Sequence, residues 1–507
     1  MTAGLCFLGP SNKSDSIGTR MSRSTFPADP RAKNGLMAQL VSMRRPFWMV
    51  NVMEMLERLA YYGVRVVIPI YIAQADEIGG LHFSQTDKGI IFLWWALFQS
   101  LTPMISGGFA DRYGYKKTIA VSVVIKVVGY LLMATQTEFY PFLIGCCVLA
   151  LGTAIFKPGV QGTMCQSLTK ENSSVGWGTF YMLVNIGGFL GPPLAHFLYG
   201  ISWPMVFYGC AGIVSLNLLM LLTYKDPPAG GEQKGNPFYV FWITLKNIFN
   251  LRLIVFILIM SGFWLMFMQL FDMLPNFVVD WVDSSRMVAD LGLPDFMLQN
   301  NSTRGPQLAQ EWLINFNPGL IILLVVYLNF LVSRMRRVHS IVIGISIASV
   351  GLILAGFTAS GYFCLLGILV FSVGEMLSSP KMNEYLGVIA PEGKKGLYMG
   401  YANIPQGIGW GLGSWFAGHV YEKMGDKANL AIDYLARNHD IIGIARPDAM
   451  NKLVEVTGMN HQDVTSMLWS AYDPYKLWYQ FAAIGVVSAF LMVLYSLWVR
   501  KHEAADV

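Results

Sequence analysis

Glu54, Glu57 and Arg58, followed by Tyr61 and Arg65, recur every three or four residues, so at 3.6 residues per turn they share one stripe of a single helix. Two carboxylates beside one guanidinium suit proton exchange. Burial and a like-charged neighbour favour the neutral acid, whereas a nearby cation favours the carboxylate. A cation that withdraws during a working cycle would let one glutamate take a proton near neutral pH. A static ion network that only orders the helices is the plainer alternative, because a buried pair is weak support for a gain in stability. Lys157 precedes Pro158 inside another apolar run, where a charge coincides with a break in the helical hydrogen-bond ladder. Lys126 lies midway through a third run and needs an internal partner that the sequence does not name.

The elements that must hold these groups are membrane spans. The 507 residues are 54% hydrophobic and 13% charged, against about 25% charged in a soluble domain. Runs of about 20 apolar residues number roughly twelve, near 47–73, 85–109, 117–135, 139–165, 174–200, 203–224, 252–278, 317–334, 339–359, 361–386, 396–421 and 475–499. The stripe interrupts the first run, and each charge there would cost several kcal/mol against lipid, so it must face a polar cavity inside a helix bundle. The fold class is therefore an all-α polytopic membrane protein. Long, continuously apolar segments exclude a membrane barrel of alternating strands.

Six spans, a break and six more spans predict two bundles, with a tail at 1–44, an N-terminal bundle at 45–224, a linker at 225–250 and a C-terminal bundle at 251–501. The tail reads as disordered and cytoplasmic, and the linker opens on Lys225-Asp226-Pro227-Pro228. Basic residues at Arg44-Arg45, Arg112, Lys116-Lys117, Arg334, Arg336-Arg337, Lys394-Lys395 and Arg500-Lys501 place both termini in the cytoplasm, with a plasma or inner membrane as the expected location. That orientation leaves 279–316 and 423–474 as outer loops. The net charge of +5 is spread by this topology rather than gathered, so nucleic acid is not an expected partner. The cysteines form neither a CxxC nor a Cys/His cluster, and no metal or redox cofactor is assigned. No nucleophile and base stand together, so an enzyme is not expected either.

Gly107-Gly108-Phe109-Ala110-Asp111-Arg112-Tyr113-Gly114-Tyr115-Lys116-Lys117, between the second and third spans, resembles the loop signature of the major facilitator superfamily. Its glycines would let helices approach closely, and Asp111 would meet a helix end, Arg112 or a lysine such as Lys116. Glu54-Met55-Leu56-Glu57-Arg58-Leu59-Ala60-Tyr61-Tyr62-Gly63 resembles the ExxERFxYYG motif of the proton-dependent oligopeptide transporters within that superfamily, with Leu59 in place of the usual Phe. Further segments similar to the family's follow in order. They are Gly152 to Val160 around Lys157-Pro158, Phe180 to Gly188 around Asn185, Phe263-Trp264 with Gln269, Phe316-Asn317-Pro318, and Gly374 to Pro380 around Glu375.

The resemblance implies the major facilitator fold and a proton-coupled symporter of di- and tripeptides working by alternating access. Glu54, Glu57, Arg58 and Lys157 would serve proton coupling. Arg65 and Lys157 would hold the substrate carboxylate, Asn185, Asn317 and Glu375 the amino end and amide, and Tyr61 and Tyr62 the peptide backbone. It implies no cofactor beyond the proton gradient, and as partners a small zwitterion, protons and the lipid bilayer, with the monomer as the working unit. Family members often carry an acid in span seven just before the glutamine, where Phe267 and Met268 stand here. Asp272, one turn beyond Met268, is the candidate replacement and a possible gate. That departure keeps another small solute, such as an amino acid, nitrate, a conjugate or a drug, as the alternative, and a non-transporting receptor as a weaker one. His196 near the end of span five reads as an interface histidine before a proton relay. Gly407, Gly409, Gly411 and Gly413 read as a close helix contact.

Overall fold

The computed structural model describes residues 35–169, 172–227, 250–299, 302–332, 335–389 and 401–503. Apolar composition and the absence of long polar interruptions drive the described residues into twelve long helical rods. These are α1 (Arg45–Ala73), α2 (Gln85–Leu101, prolonged by Pro103–Tyr113), α3 (Tyr115–Thr135), α4 (Phe139–Ser167), α5 (Ser173–Tyr199), α6 (Trp203–Leu221), α7 (Leu251–Phe267, prolonged by Gln269–Asp272 and Leu274–Trp281), α8 (Gln310–Leu331), α9 (Arg337–Phe357), α10 (Gly361–Ile389), α11 (Asn403–Met424) and α12 (Leu477–Glu503). Seven described helices would pass as membrane spans on length and composition alone. Rods such as α1 and α11 fall short of that measure because they turn ionisable or glycine-rich faces toward other helices.

Two features differ from the sequence expectation. The segment 35–41 is helical (Gly35–Val41), so a disordered tail does not reach residue 44, while residues 1–34 lie outside the described residues. The stretches at 279–316 and 423–474 are largely helical rather than loops. Trp281 ends the prolonged α7, α8 already begins at Gln310, and Lys427–His439, Ala449–Thr457 and His461–Tyr472 build a three-helix cap at the bundle end opposite the chain termini. Their polar faces hid them from a search for apolar runs, although side-chain caps at Asp426 and Asn460 start two of them. Of the linker, 228–249 lies outside the described residues, as do Arg334 and Lys394-Lys395.

Glycines set the closest helix pairs. Gly145, Gly152 and Gly159 on α4 face α3, where an added Cβ would press on Met133 at the first and collide with Lys126 and Ile119 at the other two. On α11 the glycines alternate: Gly407 and Gly411 face Ser100 and Leu93 of α2, while Gly409 and Gly413 face Trp264 and Leu265 of α7. That helix is thereby wedged between the two bundles.

Candidate functional site

The α1 stripe is buried, as its spacing predicts. Arg58 Nε donates to Glu54 Oε1 at 2.9 Å, and Arg58 Nη2 stands 2.9 Å from Glu57 Oε2. On the other side of Glu57, Lys126 Nζ of α3 lies 3.6 Å from Oε1 and 3.5 Å from the centre of the Phe156 ring. This names the partner the sequence left open. Among the described residues neither Glu57 oxygen makes an aligned hydrogen bond, so its two cationic neighbours hold it chiefly by charge. Tyr61 accepts a hydrogen bond from Gln99 of α2 at 3.0 Å, and its ring meets Tyr62 edge-on. Gly187 of α5 packs on Met55 and Arg58, where any side chain would strike the α1 backbone.

Lys157 is half-buried and makes no hydrogen bond or ion pair among the described residues, although Glu54, Glu57 and Arg58 are within electrostatic reach. The helix runs on through Pro158. Its missing N–H frees the Ala154 carbonyl, which accepts from Ser106 Oγ instead at 3.4 Å. On the C-terminal bundle, Asn317 Nδ2 donates to Glu375 Oε2 and to Ser372 Oγ, both at 2.9 Å. Asn185 donates to the Tyr181 carbonyl at 2.7 Å and leaves its own oxygen buried without a hydrogen bond. Tyr181 packs against the cluster of Ile321, Val325 and Met376, the last of which neighbours Glu375. A free cation on one bundle and a carboxylate with an amide on the other therefore flank the middle of the molecule.

The bonds that join the bundles gather at the end away from the chain termini. Arg65 is paired with Asp272, stacked on the rings of Phe92 (4.7 Å) and Trp410 (5.1 Å), and Asp272 also accepts from Ser414 Oγ. In this conformation Arg65 is engaged across the seam rather than free to grip a ligand. Lys88 donates to Asn276 (2.7 Å), Gln74 to Asp280 (2.8 Å) and Gln85 to Asp426 (2.9 Å). Asn315 Nδ2 donates at 2.8 Å to the Phe189 carbonyl, which Pro193 leaves without its helical donor. His196 is an interface histidine. Its Nδ1 pairs with Glu311 of α8, and Tyr199 Oη donates to the same carboxylate at 2.6 Å. Arg446, from the cap, donates to the carbonyls of Ala73 (3.1 Å), His82 (3.3 Å) and Phe83 (2.7 Å) while bonding Asp426 at 2.6 Å.

Between these layers a cavity of about 20 Å³, room for one water, is lined in part by Glu77, Tyr199, Trp203, Gln310 and Glu311. Glu77 lies in the connection after α1. Burial pushes its carboxyl up to about 7, with Asp76 and Glu311 adding to the rise and the Trp203 hydrogen bond opposing it.

The loop motif after α2 is placed in part. Gly114 adopts a left-handed φ of 98° that ends one helix and starts the next. Lys116 Nζ donates to the Tyr224 carbonyl at 2.9 Å, and its backbone N–H to Asp226 at 3.2 Å. Arg112 is exposed against Tyr113. Space around Gly107 is open among the described residues, so close approach does not explain that glycine. The surroundings of Gly108 and the side chain of Asp111 lie outside what is described. Sequence reasoning also passed over Glu311, Lys88 and Arg446, whose partners are remote in the chain. The one signal was the cost of carrying a charge or its equivalent at a helix end within a membrane protein.

Twelve long helices among the described residues, in two bundles around a buried ionisable cluster, define a multi-pass membrane transporter. The model of the Major Facilitator Superfamily matches residues 50–414. The chain belongs to that superfamily. Among curated relatives it is similar to the uncharacterized transporter YclF of Bacillus subtilis (28% identical over 193 residues, 36% of this chain and 39% of that one). It is also similar to the quinolone resistance protein NorA of Staphylococcus aureus (24% over 183 residues, 35% and 46%). The match thus spans less than half the length of either relative. Solved structures share the fold: a POT family transporter in complex with 5-aminolevulinic acid (TM-score 0.64, 15% identical, 89% of this chain and 96% of that chain), the POT family transporter PepTSo (0.63, 17%, 90% and 98%) and the nucleoside transporter NupG (0.64, 15%, 89% and 99%).

Proposed function

We propose that this transporter is a proton-coupled symporter of di- and tripeptides, working as a monomer in the plasma or inner membrane with both termini cytoplasmic. The carrying observation is the division of charge. Glu54, Glu57 and Arg58 form a closed cluster, while Lys157 on the N-terminal bundle and Glu375 with Asn317 on the other are left with capacity for a ligand. A zwitterion needs a cationic and an anionic pole, and these face the same central region from opposite bundles. With the termini inside, the sealed end is the outer one, and Arg65–Asp272 is its gate. Opening that gate frees Arg65 for a substrate carboxylate, with Tyr61, Tyr62 and Asn185 as polar and apolar walls. Substrate and proton bind from outside, the bundles rock, and deprotonation releases the load inside. No cofactor takes part beyond the gradient.

Uptake of a dipeptide panel into proteoliposomes under an imposed pH gradient tests this reading, comparing wild type with Glu54→Gln and Lys157→Ala. Gradient-driven accumulation in wild type alone is expected. Counterflow that survives in Glu54→Gln without accumulation assigns Glu54 to coupling. Uptake indifferent to the gradient rejects proton coupling.

A second reading, a different small solute on the same fold, is favoured by one observation: Phe267 and Met268 stand where an acid is usual, and the anionic partner of Arg65 is a turn further on. NupG matches the fold as well as the POT transporters do. Failure of every peptide, with uptake of a nucleoside, an amino acid or a drug, would select it.

A further inference from the structure

Lys126 has no role in the scheme above. It is completely buried, and Gly152 makes the room for its stem, since a side chain there would collide with Lys126 Cγ. We propose that Lys126 is a positioning residue that keeps Glu57 ionised through the whole cycle, so that in this cluster Glu54 alone takes up and returns the proton. The inference rests on the proton-coupled reading and names its carrier.

Placement separates the two glutamates. Glu57 has two cations, Arg58 and Lys126, one on either side. Among the described residues Glu54 is ion-paired with Arg58 only. α3, which carries Lys126, packs on α4 and α6, helices of the same bundle as Glu57. Rocking of one bundle against the other carries Lys126 and Glu57 together and leaves their pair intact. If Arg58 swings toward a bound carboxylate, Glu57 keeps a counter-ion, and Glu54 is left to bind a proton from water.

The other groups around the pair do not undo this asymmetry. Glu57 is faced from its own helix by Glu54, Arg58, Tyr61 and Tyr62, from α3 by Lys126 and Tyr130, and from α4 by Lys157. Glu54 is faced by Arg58 and Glu57, and at longer range by Lys157 and Lys126. Among the described residues, what α2 and α6 hydrogen-bond toward this part of α1 is uncharged, Gln99 and Cys210 with Asn217, and α5 packs there through Gly187.

Infrared difference spectroscopy on the purified full-length protein, between neutral and acid pH, reads each newly protonated carboxyl as a C=O band and needs no substrate. The expected result is a band lost in Glu54→Gln and retained in Glu57→Gln. Lys126→Met should add a second band that disappears again in the Lys126→Met, Glu57→Gln double variant, whereas Lys126→Arg should match wild type. A band lost in Glu57→Gln and kept in Glu54→Gln overturns the proposal, as does an unchanged spectrum in folded Lys126→Met. Should Lys126→Met not fold, Lys126→Gln takes its place in the same comparison, and a band that follows Glu57 in the glutamine variants overturns the proposal without it. Failure of gradient-driven uptake with the Glu54 band present would instead overturn the transport reading, so the two are told apart.

Discussion

The α1 cluster and the capped seam use similar residues to opposite ends. Glu54, Glu57, Arg58 and Lys126 all belong to one bundle, so movement of the bundles as bodies does not by itself part them. Arg65 with Asp272, Lys88 with Asn276 and His196 with Glu311 each have one member per bundle, so every one must part for the sealed end to open. The contrast teaches where a proton can be stored and where it can act as a switch. On the proposed reading, charges inside a bundle set an affinity for protons and charges across the seam set which end is open.

Four substitutions would break or sharpen that comparison. We predict the largest effect from Glu57→Ala, which leaves Lys126 and Arg58 as uncompensated buried charges and should destabilise the fold by about 3–5 kcal/mol. Thermal unfolding in detergent checks it; wild-type stability would mean the cluster is not a fixed unit. Asp272→Asn should cost less in folding, because opening the seam relieves Arg65, but it should impair uptake and raise labelling of a cysteine placed at the sealed end. Unchanged uptake and labelling would remove Asp272 from the gate.

Arg446→Ala deletes the donor that ties the cap to Ala73, His82 and Phe83, and a loss of about 1–3 kcal/mol is expected, near that of a hydrogen bond from a charged group. Increased proteolysis within 423–474 reads it out. Smallest is the pH effect of Glu77. Its folded value is raised to about 7 from the ordinary 4.5, so its protonation contributes stability that is complete below the ordinary value and lost as pH rises through the folded one. Wild type should therefore melt lower at pH about 8 than at about 5, by roughly 1–3 kcal/mol, and Glu77→Gln should flatten that part of the curve. A curve of unchanged slope would clear Glu77.

Much of this was legible in the sequence because membrane helices declare themselves by apolar length, and spacing along a helix is read directly. The stripe from Glu54 to Arg65 needed no structure, and Asp272 was within reach because it shares a face with Met268. Lys126 with Glu57 was not, since which helix lies behind which depends on glycine contacts such as Gly152 against α3 that one sequence does not pair. Glu311 stayed hidden for a similar reason: a lone carboxylate near a helix start reads as an end-group until His196 is seen beside it. The cap escaped because amphipathic helices lack the long apolar run by which spans were recognised.

Arg446 holds the cap to the other bundle through main-chain carbonyls, and every residue has one of those. Sequence drift across 73–83 therefore leaves its acceptors in place, whereas a single codon on the cap side can abolish the tie. In genetic terms the latch is a one-sided target: loss should arise by missense at position 446, and compensating changes should seldom be found in the stretch it holds.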